Sequence, residues 1–198
     1  MSSSDLRPYH HGNLRDALLD SADRVLRAEG VEGLSLRQVA RDCGVSSAAP
    51  RRHFPTKQAL LDELAVGGFR QLARSMTDVA QNGTVEERLR AIAAAYLDFA
   101  ANNGELLELM FTRKHVDSQD PRVVSAAGDT MAVIRKVIQE GQRDGSIAQR
   151  DPDELVLTFF TVTHGLVSLA ATGVSEPAAV SAQMSAVIDL IFEGIRPR

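Results

Sequence analysis

The sequence predicts an all-α protein with about nine helices and no sheet. Three observations support this fold class. Apolar residues recur every three or four positions along most of the 198 residues, as one face of a helix requires. Two capping boxes, Ser35–Gln38 and Thr84–Glu87, mark helix starts. No segment sustains the apolar and polar alternation that is typical of a half-buried strand.

The N-terminal part is predicted to contain three helices. The first ends at Gly30, and its apolar face is formed by Leu14, Leu18, Ala22, Val25 and Leu26. The second begins at the Ser35 capping box and ends at a turn that Gly44 permits. The third is capped by Ser46 and reaches about His53.

Six further helices are expected. They are predicted over residues 57–79, 84–103, 105–115, 123–145, 155–172 and 178–195. The helix over 155–172 is apolar all round, so we expect it to be buried on both sides.

Composition excludes several protein classes. The lone Cys43 can form neither an internal disulfide nor a cysteine-built zinc site. No stretch approaches the roughly 20 uncharged apolar residues of a membrane span, and no apolar signal core follows Met1, so we expect a cytoplasmic protein without a membrane partner. The five histidines and the carboxylates form no set of nucleophile and base and no metal-ligand cluster. We therefore expect neither an enzyme, nor a metal site, nor a cofactor.

The segment from Ser35 to Phe54 has the order of a helix-turn-helix: capped helix, glycine turn, second short helix. Residues 1–57 carry nine Lys or Arg and seven Asp or Glu, whereas residues 58–198 carry thirteen and nineteen. Small residues at 46–49 would let the second helix approach base edges, and the following arginines would bind phosphate. Geometry alone does not separate this interpretation from a solvated basic corner.

A resemblance to a known family rests on four short segments of this part. They are Tyr9-His10-His11-Gly12-Asn13-Leu14-Arg15, Gly33-Leu34-Ser35-Leu36-Arg37-Gln38-Val39-Ala40, Cys43-Gly44-Val45-Ser46 and His53-Phe54-Pro55-Thr56-Lys57-Gln58-Ala59-Leu60. Together they resemble the N-terminal domain of the tetracycline-repressor (TetR-like) family. The resemblance implies an N-terminal arm and DNA-binding domain over 1–57, a ligand-binding and dimerisation domain over 58–198, and a helix over 57–79 that links them. It also implies a homodimer, most often a repressor, that binds a palindromic DNA operator and a small-molecule effector.

The resemblance assigns DNA contacts to individual residues. Ser35 and Lys57 correspond to phosphate contacts, and residues 46–49 to base-facing positions. Arg51 stands where such sequences usually have a tyrosine that contacts the DNA backbone, and a guanidinium can also bind phosphate. The predicted DNA-binding set is Ser35, Arg37, Ser46, Ser47, Ala48, Ala49, Arg51, Arg52, His53 and Lys57.

Two smaller features leave alternatives open. His10 and His11 diverge on a helix and have no convincing third ligand, so we interpret them, with Arg7 and Tyr9, as part of an arm near the DNA backbone or as a disordered tail. Cys43 lies on the apolar face of the second helix, where it is either a small core residue or a redox sensor.

The C-terminal half has one conspicuous polar interruption in an apolar helix, His164. It is either a core histidine bonded to a backbone carbonyl or a group that orients a ligand in an apolar cavity. This half also resembles a TetR-like subgroup with a Trp-x-x-x-His-Gly signature, and Phe160 occupies the Trp position. The predicted ligand-binding set is Tyr96, Phe99, Met110, Phe111, Met131, Phe160 and His164.

The last helix carries an apolar stripe that predicts a dimer interface. With the preceding helix it would form a two-fold contact of four helices. The predicted dimerisation set is Val180, Met184, Val187, Ile188 and Ile191. One other function class stays open on the sequence: a helical adaptor that binds acidic protein surfaces through the basic corner.

Overall fold

The computed structural model describes residues 14–111, 120–171 and 177–197. These residues form eight α-helices and one short 3₁₀ segment, and no strand occurs among them. The all-α prediction is confirmed. The chain divides into two compact units, one that ends at Leu64 and one that begins at Ala65. Four positions singled out in the sequence lie outside the described residues: Arg7, Tyr9, His10 and His11.

The first unit is built from three helices and the 3₁₀ segment. They are α1 (Leu14–Gly33), α2 (Leu36–Asp42), the 3₁₀ segment (Pro50–Arg52) and the first turns of α3 (Lys57–Val79). The predicted stop at Gly30 is a break inside α1, because Gly30 has a φ of 67°. The Ser35 hydroxyl caps α2 by accepting from the Gln38 N–H at 3.2 Å. The Gln38 side chain donates to Glu29 at 3.0 Å instead of completing the capping box.

The third predicted helix is present as a 3₁₀ segment and not as an α-helix. A turn precedes the 3₁₀ segment, and Ser46 does not cap an α-helix. Pro50 has no N–H, so it cannot donate to the carbonyl four residues earlier. Ala49 and His53 donate to carbonyls three residues earlier, at 2.9 and 3.0 Å, which is the 3₁₀ pattern. Pro50 is the sequence signal that the prediction overlooked.

The second unit contains the rest of α3 and five more helices. They are α4 (Val85–Asn102), α5 (Gly104–Phe111), α6 (Pro121–Asp144), α7 (Pro152–Ala171) and α8 (Pro177–Ile195). The Thr84 capping box is complete: the Glu87 N–H donates to Thr84 Oγ1 at 3.2 Å, and the Thr84 N–H donates to Glu87 Oε2 at 2.8 Å. Helix α7 packs against α4, α6 and α8.

Helix α7 is not buried on both sides within this chain. Its buried face contains Phe159, Thr163 and Val167, whereas Leu157 is 65% exposed and Leu169 is 43% exposed. With a mean hydropathy of 1.5, α7 is long and apolar enough by length and composition to cross a membrane. The expectation that no segment meets this criterion is therefore wrong. The criterion alone is weak, because core helices of water-soluble proteins also meet it.

Candidate DNA-binding and effector-binding sites

The helix-turn-helix segment separates an apolar side from a polar side. Val39, Ala40 and Phe54 are at most 2% exposed and belong to the core of the first unit. All ten predicted DNA-binding positions lie at the surface. Ala49 and Lys57 are half-exposed, and the exposed positions are Ser35, Arg37, Ser46, Ser47, Ala48, Arg51, Arg52 and His53. The arrangement offers hydroxyl, methyl and guanidinium groups to a partner from one short segment.

Two of the predicted phosphate contacts already have roles within the first unit. The Ser35 hydroxyl oxygen accepts the capping bond of α2, and its O–H remains a donor. Lys57 Nζ donates to the Val31 carbonyl at 2.7 Å. An ammonium has three N–H donors, so Lys57 can hold the chain at Val31 and still bind a phosphate.

Sequence reasoning gave no role to Arg15. Its guanidinium binds the Glu63 carboxylate at 2.7 Å and lies 5.5 Å from the centre of the Phe54 ring. These contacts connect α1 to the end of the helix-turn-helix segment and to the first turns of α3. Arg15 thereby positions Phe54, which directly follows the exposed His53.

Cys43 is half-exposed, and its Sγ contacts the Ala17 carbonyl at 3.4 Å. Burial raises the pKa of the Cys43 thiol. A reactive cysteine requires a thiolate, so this environment favours the small structural residue over the redox sensor.

Aromatic rings from three helices surround His164 in the second unit. The His164 ring centre lies 4.7 Å from Phe111 and 5.4 Å from Phe160, and the Phe160 ring is nearly parallel to it at 19°. Tyr96 meets Phe160 edge to face at 5.9 Å. The structure therefore brings together four of the seven predicted ligand-binding residues, from α4, α5 and α7. We call Tyr96, Phe111, Phe160 and His164, with Phe69, the ring cluster.

Phe69 of α3 is the member of the ring cluster that sequence reasoning missed. It meets Phe111 edge to face at 5.4 Å. Its position in a long helical run gave no signal beyond a core aromatic. Met110 packs close to Gly68, where an added Cβ would meet its sulfur at 2.6 Å. Phe99 and Met110 are buried and Met131 is half-buried, and no ring contact to His164 is found for them among the described residues.

His164 is bonded to a side chain rather than to the backbone carbonyl considered from the sequence. The Tyr96 hydroxyl lies 2.5 Å from His164 Nδ1. Tyr96 is 1% exposed, and burial raises the pKa of its phenol. His164 is half-buried, and burial lowers the pKa of its imidazole. Both side chains are therefore neutral at physiological pH.

An open groove of about 410 Å³ lies elsewhere in the second unit, between α3, α4 and α6. The Arg88–Glu140 ion pair, at 2.6 Å, forms part of its wall. No group of three His, Cys, Asp or Glu that could hold a metal ion occurs within residues 14–111, 120–171 and 177–197.

The predicted dimerisation residues divide into two groups. Val180, Met184 and Ile188 are at most 4% exposed within their own protomer, so they hold α8 in its core. Val187 and Ile191 are half-exposed. Sequence periodicity did not single out the most exposed apolar side chains nearby, Leu157 at 65% and Leu190 at 67%.

An ion pair connects α8 to α4. Arg90 of α4 binds Glu86 at 2.8 Å and also pairs with Asp189 of α8. The Asp189 carboxylate next to Leu190 is thus directed toward α4, which leaves Leu190 on the outer side of the helix.

Comparison with known proteins identifies both units. Residues 18–64 match the bacterial regulatory proteins of the tetR family, and residues 89–191 match the tetracyclin repressor-like C-terminal domain. The second match alone spans more than half of the chain. The chain belongs to the TetR family. It is a transcriptional regulator with an N-terminal helix-turn-helix, as the resemblance implied.

Relatives of this TetR-family chain match it along most of its length. A protein of unknown function from Rhodococcus sp. RHA1 is 39% identical, covers 96% of this chain and 100% of its own, and superposes with a TM-score of 0.88. The transcriptional repressor AcnR of Corynebacterium glutamicum is 27% identical over 94% of each chain. FadR from Bacillus subtilis, in complex with stearoyl-CoA, has a TM-score of 0.75 at 16% identity, over 92% of this chain and 100% of its own, and is alike in fold.

Proposed function

We propose that this protein is a cytoplasmic, homodimeric repressor that binds a palindromic operator and is released by a small molecule. The observation that carries the proposal is the exposed polar side of the helix-turn-helix segment, where eight of the ten predicted contact residues are exposed. A buried apolar side holds them on a fixed surface. The relative AcnR, which is a repressor, supports repression over activation.

DNA binding is divided between two kinds of group. Ser46, Ser47 and Ala48 precede the 3₁₀ segment and are small enough to meet base edges in the major groove. Arg51 and Arg52 lie within that segment and bind phosphates on either side. Because the segment is short, fewer side chains reach the bases than from a full recognition helix. Phosphate contacts therefore supply most of the affinity.

A homodimer places two such surfaces on one DNA duplex. Leu157 of α7 and Leu190 of α8 are large apolar side chains that this chain alone leaves in water. A two-fold contact would bury Leu157 and Leu190 of both protomers. The two DNA half-sites would then lie one helical turn, or a multiple of it, apart. The same contact accounts for the apolar outer side of α7 without a membrane.

The effector acts through α3, which begins in the first unit and ends in the second. Phe69 lies on α3 and contacts Phe111 of the ring cluster. A molecule that enters the cluster must displace or reorient these rings, and the favoured placement of α3 changes with them. Coupling of about 1–3 kcal/mol, or roughly 5- to 150-fold in operator affinity, is typical of such systems. The stearoyl-CoA in the FadR complex supports a small-molecule effector in this fold.

A binding experiment tests the proposal. Genomic fragments that contain palindromes are titrated with the protein in a gel-shift assay, and the preferred fragment is repeated with Arg51→Gln and with Arg74→Gln. Arg74 is an exposed arginine of the second unit and serves as the control. We expect one preferred palindrome, weaker binding by Arg51→Gln, and no change with Arg74→Gln. The absence of any preferred sequence would contradict the proposal and favour the adaptor function.

A further inference from the structure

The Tyr96–His164 hydrogen bond determines where the imidazole carries its proton. The Tyr96 hydroxyl is buried, and among the described residues His164 Nδ1 is its hydrogen-bond partner. A buried O–H needs an acceptor. If Nδ1 carried the proton, the Tyr96 O–H would have none. Tyr96 is therefore the donor and His164 Nδ1 the acceptor.

It follows that His164 carries its proton on Nε2. A neutral imidazole has one protonated nitrogen, and Nδ1 is excluded by the bond from Tyr96. The doubly protonated ring would also place a proton on Nδ1 and would leave the Tyr96 O–H without its acceptor. The lowered pKa of His164 agrees with the neutral form. His164 thus presents one N–H donor, Nε2–H, that the bond to Tyr96 does not use.

This N–H belongs to a ring that contacts three aromatic rings in the described part of the chain. Phe111, Phe160 and His164 are all half-buried, so part of each residue is accessible to solvent. The neighbouring Thr163 hydroxyl is buried and bonds to the Phe159 and Phe160 carbonyls at 3.0 Å each, so it is not available. Among the described residues, the rings that contact His164 belong to Tyr96, Phe111 and Phe160, and none of these side chains is charged.

We propose that the ring cluster binds an uncharged, ring-containing effector whose carbonyl-type oxygen accepts the His164 Nε2–H. The proposal rests on the ligand-responsive function proposed above and adds the chemical class of the ligand. A flat apolar ring packs against Phe111 and Phe160. A pure hydrocarbon would leave the Nε2–H without an acceptor, and a carboxylate would lose its hydration to a single neutral donor.

The proton position is tested first, without any ligand. The full chain is labelled with ¹⁵N-histidine, and the His164 signals are assigned by their loss in His164→Phe. We expect Nδ1 to resonate as an unprotonated nitrogen and Nε2 as a protonated one at neutral pH. A proton on Nδ1, or on both nitrogens, would overturn the proposal.

Three probes of nearly the same shape then test the ligand class by calorimetry: 2-acetylnaphthalene, 2-ethylnaphthalene and 2-naphthoate. We expect the ketone to bind about five-fold more tightly than the ethyl compound, as one neutral hydrogen bond allows, and more tightly than the carboxylate. His164→Phe should abolish the preference for the ketone. His164→Gln, which retains an N–H near the Nε2 position, should keep part of it. Equal affinities, a preference for the carboxylate, or no binding of any probe would overturn the proposal.

Operator titrations keep this proposal separate from the proposed function. If the protein prefers the ketone through His164 but recognises no DNA sequence, the proposed regulatory function is contradicted and the proposed ligand class still stands. If the protein binds an operator but does not prefer the ketone, the proposed ligand class is contradicted and the proposed regulatory function still stands.

Discussion

The two units place their functional side chains in opposite ways. In the first unit, the predicted DNA contacts lie between Ser35 and Lys57, and most of them are exposed. In the second unit, the ring cluster collects side chains from α3, α4, α5 and α7, and Tyr96 is 1% exposed. A change at Arg51 or Arg52, which are exposed, should alter DNA binding with little effect on stability, whereas a change in the ring cluster alters packing and binding together.

The largest expected effect concerns the dimer interface that we propose for the second unit. Leu157→Glu or Leu190→Glu should produce monomers, because a charge buried in a dimer interface without a partner costs about 3 kcal/mol or more. Operator affinity should fall by more than about 100-fold. Sedimentation and operator titration measure the two effects.

Val124→Glu is the matched control for this prediction. Val124 on α6 is 65% exposed, the same fraction as Leu157. The Val124→Glu protein should remain dimeric. Circular dichroism checks that every variant is folded. A Leu190→Glu protein that stays dimeric with unchanged operator affinity would remove α8 from the interface.

The next prediction concerns the DNA-binding surface of the first unit, which we expect to bind DNA mainly through phosphate contacts. Arg51→Gln and Lys57→Gln should each flatten the slope of log affinity against log salt by about two per dimer, because each removes one phosphate contact per half-site. The preferred sequence should not change. Lys57→Gln should also lower thermal stability, since the Val31 carbonyl loses its 2.7 Å donor. An unchanged slope would take that residue off the list of phosphate contacts.

The same contrast explains how far the sequence could predict the structure. The caps Ser35 and Thr84 are local features and lie where they were predicted, and Gly30, the predicted stop, is a break inside α1. The 3₁₀ segment was missed because the effect of Pro50 on backbone donors was not considered. Phe69 and the partner of His164 depend on which helices pack together. Helical periodicity gives the face of a side chain but not the helix it meets, so neither contact could be deduced.

Two helix caps, one in each unit, allow stability and DNA binding to be compared directly. Ser35→Ala and Thr84→Ala each remove a side-chain acceptor from a helix N-terminus and should each lower the free energy of unfolding by about 1 kcal/mol. Ser35 is also a predicted phosphate contact, so only Ser35→Ala should weaken operator binding. Ser35→Thr should restore both properties. Equal effects of Ser35→Ala and Thr84→Ala on operator binding would show that Ser35 acts as a cap alone.

The smallest effect is the pH dependence of stability in the second unit. Burial lowers the pKa of His164 in the folded chain, whereas the unfolded chain titrates near the ordinary value of about 6.5. As the pH falls below that value, the unfolded chain binds a proton that the folded chain does not, so the free energy of unfolding decreases. The stabilisation is fully present above about pH 6.5 and is lost as the pH falls toward the folded pKa. Urea unfolding at about pH 7 and about pH 5 should therefore show a smaller acid loss for His164→Phe than for the unaltered protein. Tyr96→Phe retains the histidine and its burial but removes the O–H that Nδ1 accepts, so it should retain part of the loss. If His164→Phe loses as much stability in acid as the unaltered protein does, the imidazole is not the group that titrates.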